Sequence, residues 1–182
     1  MIIAFGHRSG TGKDTAGKML VQSLRLSGKH KLVVRNSFAK LLKDVCYQMY
    51  KCQGMMPGEW YEEPGNWHKK DEMLAFGKTV RQVWIEVGMA MRAIYEHTWR
   101  DAALRVEHDV LVVTDLRFNN EASEVKRLGG ICVRVENPRV TKWHDSDYEL
   151  KDFSFDEVIT NDGDLNTLND RVLELATKRS LL

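Results

Sequence analysis

The feature that most constrains this chain is a glycine-rich stretch near its start, between a short apolar run and a helical pattern. Residues 1–5 are apolar and predict a buried strand. The sequence Gly-His-Arg-Ser-Gly-Thr-Gly-Lys-Asp-Thr occupies residues 6–15, and helical spacing runs from Lys13 to Ser27, before Gly28. Strand, glycine-rich turn and helix in this order are typical of a loop that holds an anion on backbone N–H groups and on the positive end of a helix.

The turn fits the Walker A pattern of nucleotide-binding loops incompletely. Lys13 has the position from which a lysine reaches the β and γ phosphates. The glycine expected six residues earlier is His7, with Gly6 one place before it, and the expected Ser or Thr after the lysine is Asp14. We interpret the turn as a phosphate loop, rather than an ordinary βα turn, because strand, turn and helix follow in the required order. The predicted nucleotide-binding residues are Gly10, Thr11, Gly12, Lys13, Asp14 and Thr15.

A second carboxylate is predicted at the end of a central strand. Asp115 follows the apolar residues 110–113, and a doubly wound sheet places its ligands at such strand ends. In P-loop proteins this carboxylate orients Mg²⁺, although an Asp after a strand is often a helix N-cap. With the first turn, it predicts that Asp14 and Asp115 hold Mg²⁺, Asp14 directly or through water. Arg117 is predicted to face the same crevice, whereas Glu121 fits a first-turn carboxylate that the helix dipole favours.

Short apolar strands alternate with helices along the rest of the chain. This order predicts βαβ units and a parallel sheet covered on both faces. The predicted strands are residues 1–5, 31–36, 109–114, 131–135 and 158–159. The predicted helices are residues 13–27, a helix beginning at Phe38, residues 79–106 with a break near His97, residues 121–128 and residues 165–178.

Candidate binding residues for a second phosphate lie between the second and third strands. Residues 51–70 combine Gly and Pro with aromatic residues and predict a long functional loop. In the following helix Arg81, Ile85, Gly88 and Arg92 share one stripe, which predicts a cationic surface with room for a phosphate. A solvated face with two salt-bridged arginines explains that spacing equally well.

Other cations have weaker sequence signals. In the loop, Lys69 and Lys70 are better candidates for phosphate binding than Trp60 or Trp67, since tryptophans more often pack a loop onto its domain. After the fourth strand, Arg139 and Lys142 are predicted to act as lid cations on the transferring phosphoryl group. His144 fits a structural histidine equally well. These latter residues lie on a short segment, so a lid loop is expected rather than a lid domain.

Composition excludes several classes of function. The net charge is +1, which argues against a protein that coats a nucleic acid polymer. No apolar run approaches the ~20 residues that span a bilayer, and the start lacks a signal-peptide pattern, so we expect a cytoplasmic protein without a membrane partner. The three cysteines form no zinc-binding pattern and predict reduced thiols.

Several of these motifs together resemble the phage deoxynucleoside monophosphate kinase family, over nearly the whole chain. The GKDT turn and the Asp-x-Arg-Phe-x-Asn-Glu stretch that begins at Asp115 are the most specific parts. The motifs that carry the resemblance are residues 12–15, Ser37-Phe38-Ala39 with Leu42-Lys43, Thr79-Val80-Arg81, Trp99, residues 115–121, His144-x-Ser146-Asp147 and Asn161-Asp162-Gly163.

The resemblance implies a P-loop NTPase fold of the nucleoside-monophosphate-kinase type, with three α/β/α layers, a five-stranded parallel sheet and a short lid. It implies one kinase domain over residues 1–182, with a monophosphate-binding excursion at about 51–78 and a lid loop at about 136–150. The implied reaction transfers the γ-phosphate of ATP, with Mg²⁺, to a deoxynucleoside monophosphate, giving the diphosphate and ADP. A homodimer, in the cytoplasm of an infected cell, is implied by the family alone.

Residue roles follow from the motifs and the resemblance together. The predicted catalytic residues are Lys13, Arg81, Asp115 and Arg117, and Arg139 is added to the residues that bind ATP. The predicted substrate-binding residues are Ser37, Lys43, Trp60, Lys69, Lys70, Arg81, Gly88 and Arg92. Two alternatives stay open: another small-molecule kinase on the same scaffold, such as an animal-type phosphomevalonate kinase, and a nucleotide-binding adaptor ATPase without an acceptor.

Overall fold

The computed structural model describes residues 1–63, 65–141 and 149–182. The chain forms two compact units. We call residues 1–37 with 104–182 the sheet unit, and residues 38–103 the helical unit. The helical unit is thus one continuous segment between two parts of the sheet unit.

The sheet unit is built on a five-stranded parallel sheet, as predicted. Its strands are β1 (Ile2–Gly6), β2 (Val33–Asn36), β3 (Val110–Leu116), β4 (Ile131–Glu136) and β5 (Glu157–Thr160). Their order is β2-β3-β1-β4-β5, with every pairing parallel. The first strand of the chain is therefore central, and the glycine-rich turn that follows it lies at the carboxyl edge of the sheet.

Six α-helices are described in the chain. They are α1 (Lys13–Ser27), α2 (Lys40–Tyr50), α3 (Val80–Ile94), α4 (Thr98–Leu104), α5 (Asn119–Arg127) and α6 (Leu165–Lys178). Helices cover both faces of the sheet, which completes the predicted three layers. On one face Ile3 and Phe5 of β1 pack in the core with Leu20 of α1 and Val172 of α6. The alternation of side chains along a buried strand turns the intervening residues toward the opposite face.

A β-bulge interrupts the pairing of the two central strands. Ala4 pairs with Val113, but Gly6, two residues on, pairs with Leu116, three residues on. β3 therefore has one extra residue at Thr114 and Asp115. Bulges bend a strand and change the direction of its side chains, and they are common next to active sites.

The helical unit contains the predicted break in the helix over residues 79–106. This segment forms two helices, α3 and α4, and the chain leaves helical geometry at Tyr95, close to the predicted break near His97. The excursion contains three short 3₁₀ turns, at Lys51–Gln53, Gly58–Glu62 and Trp67–Asp71. Its core is buried and mixed aromatic and aliphatic, with Cys46, Met55, Tyr61, Leu74, Val80 and Val83 at the centre.

None of the helices in the described parts of the chain has the length and apolar character that a membrane crossing requires.

Candidate active site

The glycine-rich turn joins the end of β1 to the start of α1 through left-handed backbone. Gly10 and Gly12 have φ angles of 80° and 97°, and His7 has a φ of 85°. Glycine adopts this region without strain, whereas a residue with a Cβ does so at a cost of about 1–2 kcal/mol. His7 occupies the place where the Walker A pattern expects glycine, and it retains the backbone conformation that suits glycine. Its ring is 2% exposed and packs edge-on against Phe155.

Asn161, in the chain after β5, fixes the middle of the turn. Its Nδ2 donates a 2.9 Å hydrogen bond to the carbonyl of Thr11. A Cβ added at Gly12 would lie 2.4 Å from the same nitrogen. The glycine is therefore required by the close approach of Asn161 as well as by its φ angle. This contact gives a physical role to the Asn-Asp-Gly motif, which the sequence alone left unexplained.

Lys13 lies inside the turn rather than in solvent. It is 4% exposed, and its Nζ donates to the carbonyl of Arg8 over 3.3 Å. Thr11 is fully buried, and its hydroxyl donates to the same carbonyl over 3.0 Å. The turn thus folds around the ammonium group, which stays next to the N-terminus of α1.

Asp14 is exposed, and its position is fixed by a strand residue that sequence reasoning missed. The hydroxyl of Thr114 donates to Asp14 Oδ1 over 2.7 Å, and Thr114 itself is buried. Thr114 lies at the β3 bulge. The polar Thr-Asp pair at the end of an apolar strand was the available signal, but that pattern alone does not predict that Thr114 contacts Asp14. Thr15, next in α1, is half-buried.

Asp115 and Arg117 stand where β3 ends, and both are half-buried. The turn after them is fixed by Glu121, which is 1% exposed. Its Oε2 accepts the backbone N–H groups of Arg117 and Phe118 over 3.1 and 3.2 Å. Glu121 therefore satisfies the N-terminal donors of α5, in agreement with its interpretation as a first-turn carboxylate.

The chain after β4 is tied to the glycine-rich turn. Arg8 Nη1 donates to the carbonyl of Val140 over 2.8 Å. Arg139 is exposed, and its Nη2 donates to the carbonyl of Asp162 over 3.0 Å. Asp162 also pairs with Arg171 at 2.7 Å, and that hydrogen bond lowers the pKa of the Asp162 carboxyl. The predicted lid residues Lys142 and His144 lie outside the described residues.

In the helical unit Arg81 pairs with Asp71, a residue that sequence reasoning missed. Arg81 Nε donates to Asp71 Oδ1 over 2.6 Å, and Nη2 donates to Oδ2 over 3.0 Å. These bonds lower the pKa of the Asp71 carboxyl and raise the pKa of Arg81. Both side chains are about half exposed. Arg81 follows Thr79, whose side chain forms a capping box with Gln82 at the start of α3.

The predicted lysines of this unit also have acidic neighbours. Lys43 Nζ lies 2.7 Å from Glu62 Oε1 and 5.4 Å from the centre of the Trp84 ring. Lys69 pairs with Glu72 at 2.9 Å, and Lys70, in the same 3₁₀ turn, is half-buried. Trp60 packs against the core of the helical unit, with its ring edge-on to Tyr61. Ser37, also predicted to bind substrate, follows β2 in the sheet unit and is half-buried.

Gly88 has a packing role in the structure. Trp99 Nε1 donates to its carbonyl over 3.1 Å, and a Cβ at this position would lie 3.1 Å from Leu42 Cδ2. The glycine therefore allows α2 and α3 to approach closely. On the same stripe Arg92 Nη1 points to the carbonyl of Glu96 at 3.5 Å. Substrate binding by Gly88 and Arg92 stays a prediction.

The acidic residues fit a magnesium ion better than a metal with a full set of protein ligands. No group of three or more His, Cys, Asp or Glu side chains that could hold a metal is present among residues 1–63, 65–141 and 149–182. Mg²⁺ usually keeps several waters and takes one or two carboxylates together with substrate phosphates. Asp14, exposed and oriented by Thr114 next to the glycine-rich turn, could supply such a carboxylate.

Comparison with known proteins finds a relative by sequence. A protein of Acanthamoeba polyphaga mimivirus, provisionally named a deoxynucleotide monophosphate kinase, is 24% identical over 191 positions, covering 94% of this chain and 93% of that protein. No protein-family model matches the chain.

Among solved structures, the shikimate kinase of Aquifex aeolicus vf5 aligns with a TM-score of 0.45 at 15% identity, over 100% of this chain and 99% of that one. The shikimate kinase of Acinetobacter baumannii, solved in complex with shikimate, gives 0.45 at 17% identity, over 100% and 95%. The fold of the present chain is defined by its own strand order, not by these similarities.

Proposed function

We propose that this protein is a deoxynucleoside monophosphate kinase, which transfers the γ-phosphate of ATP to a dNMP to give a dNDP and ADP. The observation that carries the proposal is the glycine-rich turn at the carboxyl end of the central strand, with Lys13 inside it and Asp14 oriented beside it. We interpret this turn as a phosphate loop. The name of the mimivirus relative supports the choice of substrate, and because that relative belongs to a giant virus, it lends no support to a phage origin.

In this proposal the donor nucleotide is held by the first turn. The backbone N–H groups around Gly10 and Gly12, together with the N-terminus of α1, receive the ATP phosphates. Lys13 neutralises the β and γ oxygens, and Thr15 contributes a hydroxyl to a more distal phosphate. Asp14 and Asp115 hold Mg²⁺, which when bound neutralises charge on the same oxygens. Arg139, paired with the carbonyl of Asp162, remains a candidate for the nucleotide side.

The acceptor is assigned to cations of the helical unit. Arg81 is the leading candidate for its phosphate, because a guanidinium fork binds two oxygens at once. Lys43, Lys69 and Lys70 supply further positive charge in the same unit, and Arg117 remains a candidate beside Asp115. Phosphoryl transfer needs alignment of the two phosphates and neutralisation of the charge that passes between them, and these cations meet the second need.

A coupled assay of ADP release tests the proposal directly. ATP and Mg²⁺ are supplied with a panel of acceptors: dGMP, dTMP, dCMP, dAMP, dUMP, hydroxymethylated dCMP, the ribose forms and phosphomevalonate. We expect strong stimulation by one or more deoxynucleotides. Stimulation by phosphomevalonate alone would assign a different substrate, and an ATPase rate that no acceptor changes would contradict a kinase.

A further inference from the structure

We propose that Asp71 is a positioning residue, which holds the Arg81 guanidinium by one edge so that its other edge binds the acceptor phosphate. The inference rests on the proposed kinase function and adds a residue to it. Asp71 belongs to none of the sequence motifs described above. Its carboxylate accepts two hydrogen bonds from Arg81.

The geometry of the pair leaves a defined set of donors. An arginine side chain has five N–H donors in a planar fork. Asp71 takes the edge formed by Nε and Nη2, at 2.6 and 3.0 Å. Within the described part of the chain, Nη1 of Arg81 donates no hydrogen bond, so the edge formed by Nη1 and Nη2 remains for a ligand. That edge is the one with which arginine binds a phosphate through two parallel hydrogen bonds.

Backbone contacts fix both ends of the pair. Asp71 ends a 3₁₀ turn, and the N–H of Glu72 donates to the carbonyl of Lys69 over 3.0 Å. The chain then reverses, with an antiparallel bridge between Met73 and Thr79. Thr79 caps α3, so Arg81 leaves from a first turn whose backbone is held by a capping box. The carboxylate and the guanidinium are therefore carried by two backbone segments that hydrogen bonds hold in place.

Two other roles for Asp71 make different predictions. An ordinary surface ion pair contributes little to stability and nothing to substrate binding. A carboxylate that competes with phosphate for Arg81 would weaken binding, so its removal would strengthen it. The side-on geometry favours positioning, since a phosphate can use the remaining edge without displacing Asp71. Because the hydrogen bond from Arg81 lowers the pKa of the Asp71 carboxyl, the pair stays ionised near neutral pH.

The test uses Asp71→Asn in the full chain, with Glu124→Gln as its matched control. Glu124 forms the same side-on pair with Arg127, at 2.8 and 2.7 Å, in α5 of the sheet unit. Asp71→Asn should raise the KM for the preferred dNMP, and its Kd from calorimetry, about tenfold, since a charge-assisted bond to Arg81 is lost. The KM for ATP should not change, because the phosphate loop belongs to the sheet unit. Asp71→Glu should recover most of the dNMP affinity, and Glu124→Gln should change neither constant.

A double variant separates positioning from a general structural effect. In an Arg81→Ala background, Asp71→Asn should add no further loss of dNMP affinity, because its effect passes through Arg81. Unchanged or tighter dNMP binding by Asp71→Asn overturns the inference, as does an equal loss in both backgrounds. If the wild-type protein binds and phosphorylates no dNMP, the proposed function fails and this inference fails with it. That result differs from a wild-type kinase that Asp71→Asn leaves unaffected.

Discussion

Thr114 Oγ1 donates a 2.7 Å hydrogen bond to Asp14 Oδ1 and so joins the bulged end of β3 to the first turn of α1. Thr114→Val keeps the shape of this buried side chain and removes the donor. We expect the affinity for Mg²⁺ in the presence of ATP to fall about tenfold, as for other residues that orient a metal ligand. Stability should change by about 1 kcal/mol or less, since solvent reaches Asp14.

Titration of ADP release with Mg²⁺ measures this effect. Thr177→Val is the control, because it makes the same substitution at an exposed threonine of α6, whose hydroxyl donates to the backbone carbonyl of Leu173. An unchanged Mg²⁺ requirement in Thr114→Val would show that Asp14 needs no orientation, or that it does not bind the metal.

Lys13→Ala should reduce turnover at least a hundredfold while the protein stays folded, because in the proposed reaction this buried cation neutralises charge on the transferring phosphate. Lys18→Ala changes an exposed lysine of the same helix and should leave turnover unchanged. Circular dichroism and urea unfolding of both variants verify the fold. A well-folded Lys13→Ala enzyme with normal turnover would exclude the phosphate-loop assignment.

Gly12→Ala should destabilise the protein by about 2–3 kcal/mol, because it combines left-handed strain with a collision against Asn161. Nucleotide binding should fall with it. Gly28→Ala supplies the comparison, because it keeps the left-handed strain without the collision. Gly28 has a φ of 67°, and apart from its chain neighbours no described atom lies within 4 Å of a Cβ built there. In Gly28→Ala the free energy of unfolding should fall by about 1 kcal/mol, and the affinity for nucleotide should not change. Urea unfolding and ATP calorimetry measure both effects, and equal losses in the two variants would refute the role of Asn161.

His7 provides a test of backbone strain in the turn. His7→Ala and His7→Gly both remove the ring, but only alanine keeps the cost of a positive φ. The glycine variant should therefore be more stable than the alanine variant by about 1 kcal/mol in urea unfolding. If alanine were equal or better, the backbone at residue 7 would have to relax out of the left-handed region.

Glu157 links the last strand to the last helix and makes part of the stability depend on pH. It pairs with Lys178 at 2.8 Å and with Arg179, and these hydrogen bonds lower the pKa of its carboxyl below the usual 4.5. A lowered pKa stabilises the folded state above the unfolded value, and this contribution is lost as the pH falls through the folded value. Glu157→Gln should cost on the order of 1 kcal/mol at pH 7. The difference from wild type should shrink below about pH 4.5, which urea midpoints at pH 7 and pH 3.5 would show.

The architecture was predictable because its signals are local. Residues 13–27 and 165–178 have helical spacing with clear ends, and both helices begin and end where the sequence places them. Apolar runs next to glycine marked the strands, and the order of elements fixed a parallel sheet. The break between α3 and α4 fell near His97 as expected, although the apolar spacing continues across it.

The site was less predictable because its contacts join residues that are distant in the chain. Thr114 and Asp14 are 100 residues apart, and their pairing depends on a bulge that has no signal in a single sequence. Asp71 lies in the excursion, where the sequence shows no helical or strand periodicity. Its contact with Arg81 therefore follows from the reversal of the chain and could not be predicted from residue spacing. Gly88 is a different case, since a small residue in a cationic stripe suggested room for a ligand, and the structure adds a close contact with Leu42 that the spacing does not reveal.

The helical unit begins one residue after β2, and six residues separate its end from β3. These two strands are paired neighbours in the sheet. A gene can therefore acquire, exchange or lose this unit through one uninterrupted stretch of codons. If the proposed division of labour holds, acceptor choice can evolve by replacing that stretch, while the codons for the phosphate loop, which all lie upstream of it, stay untouched.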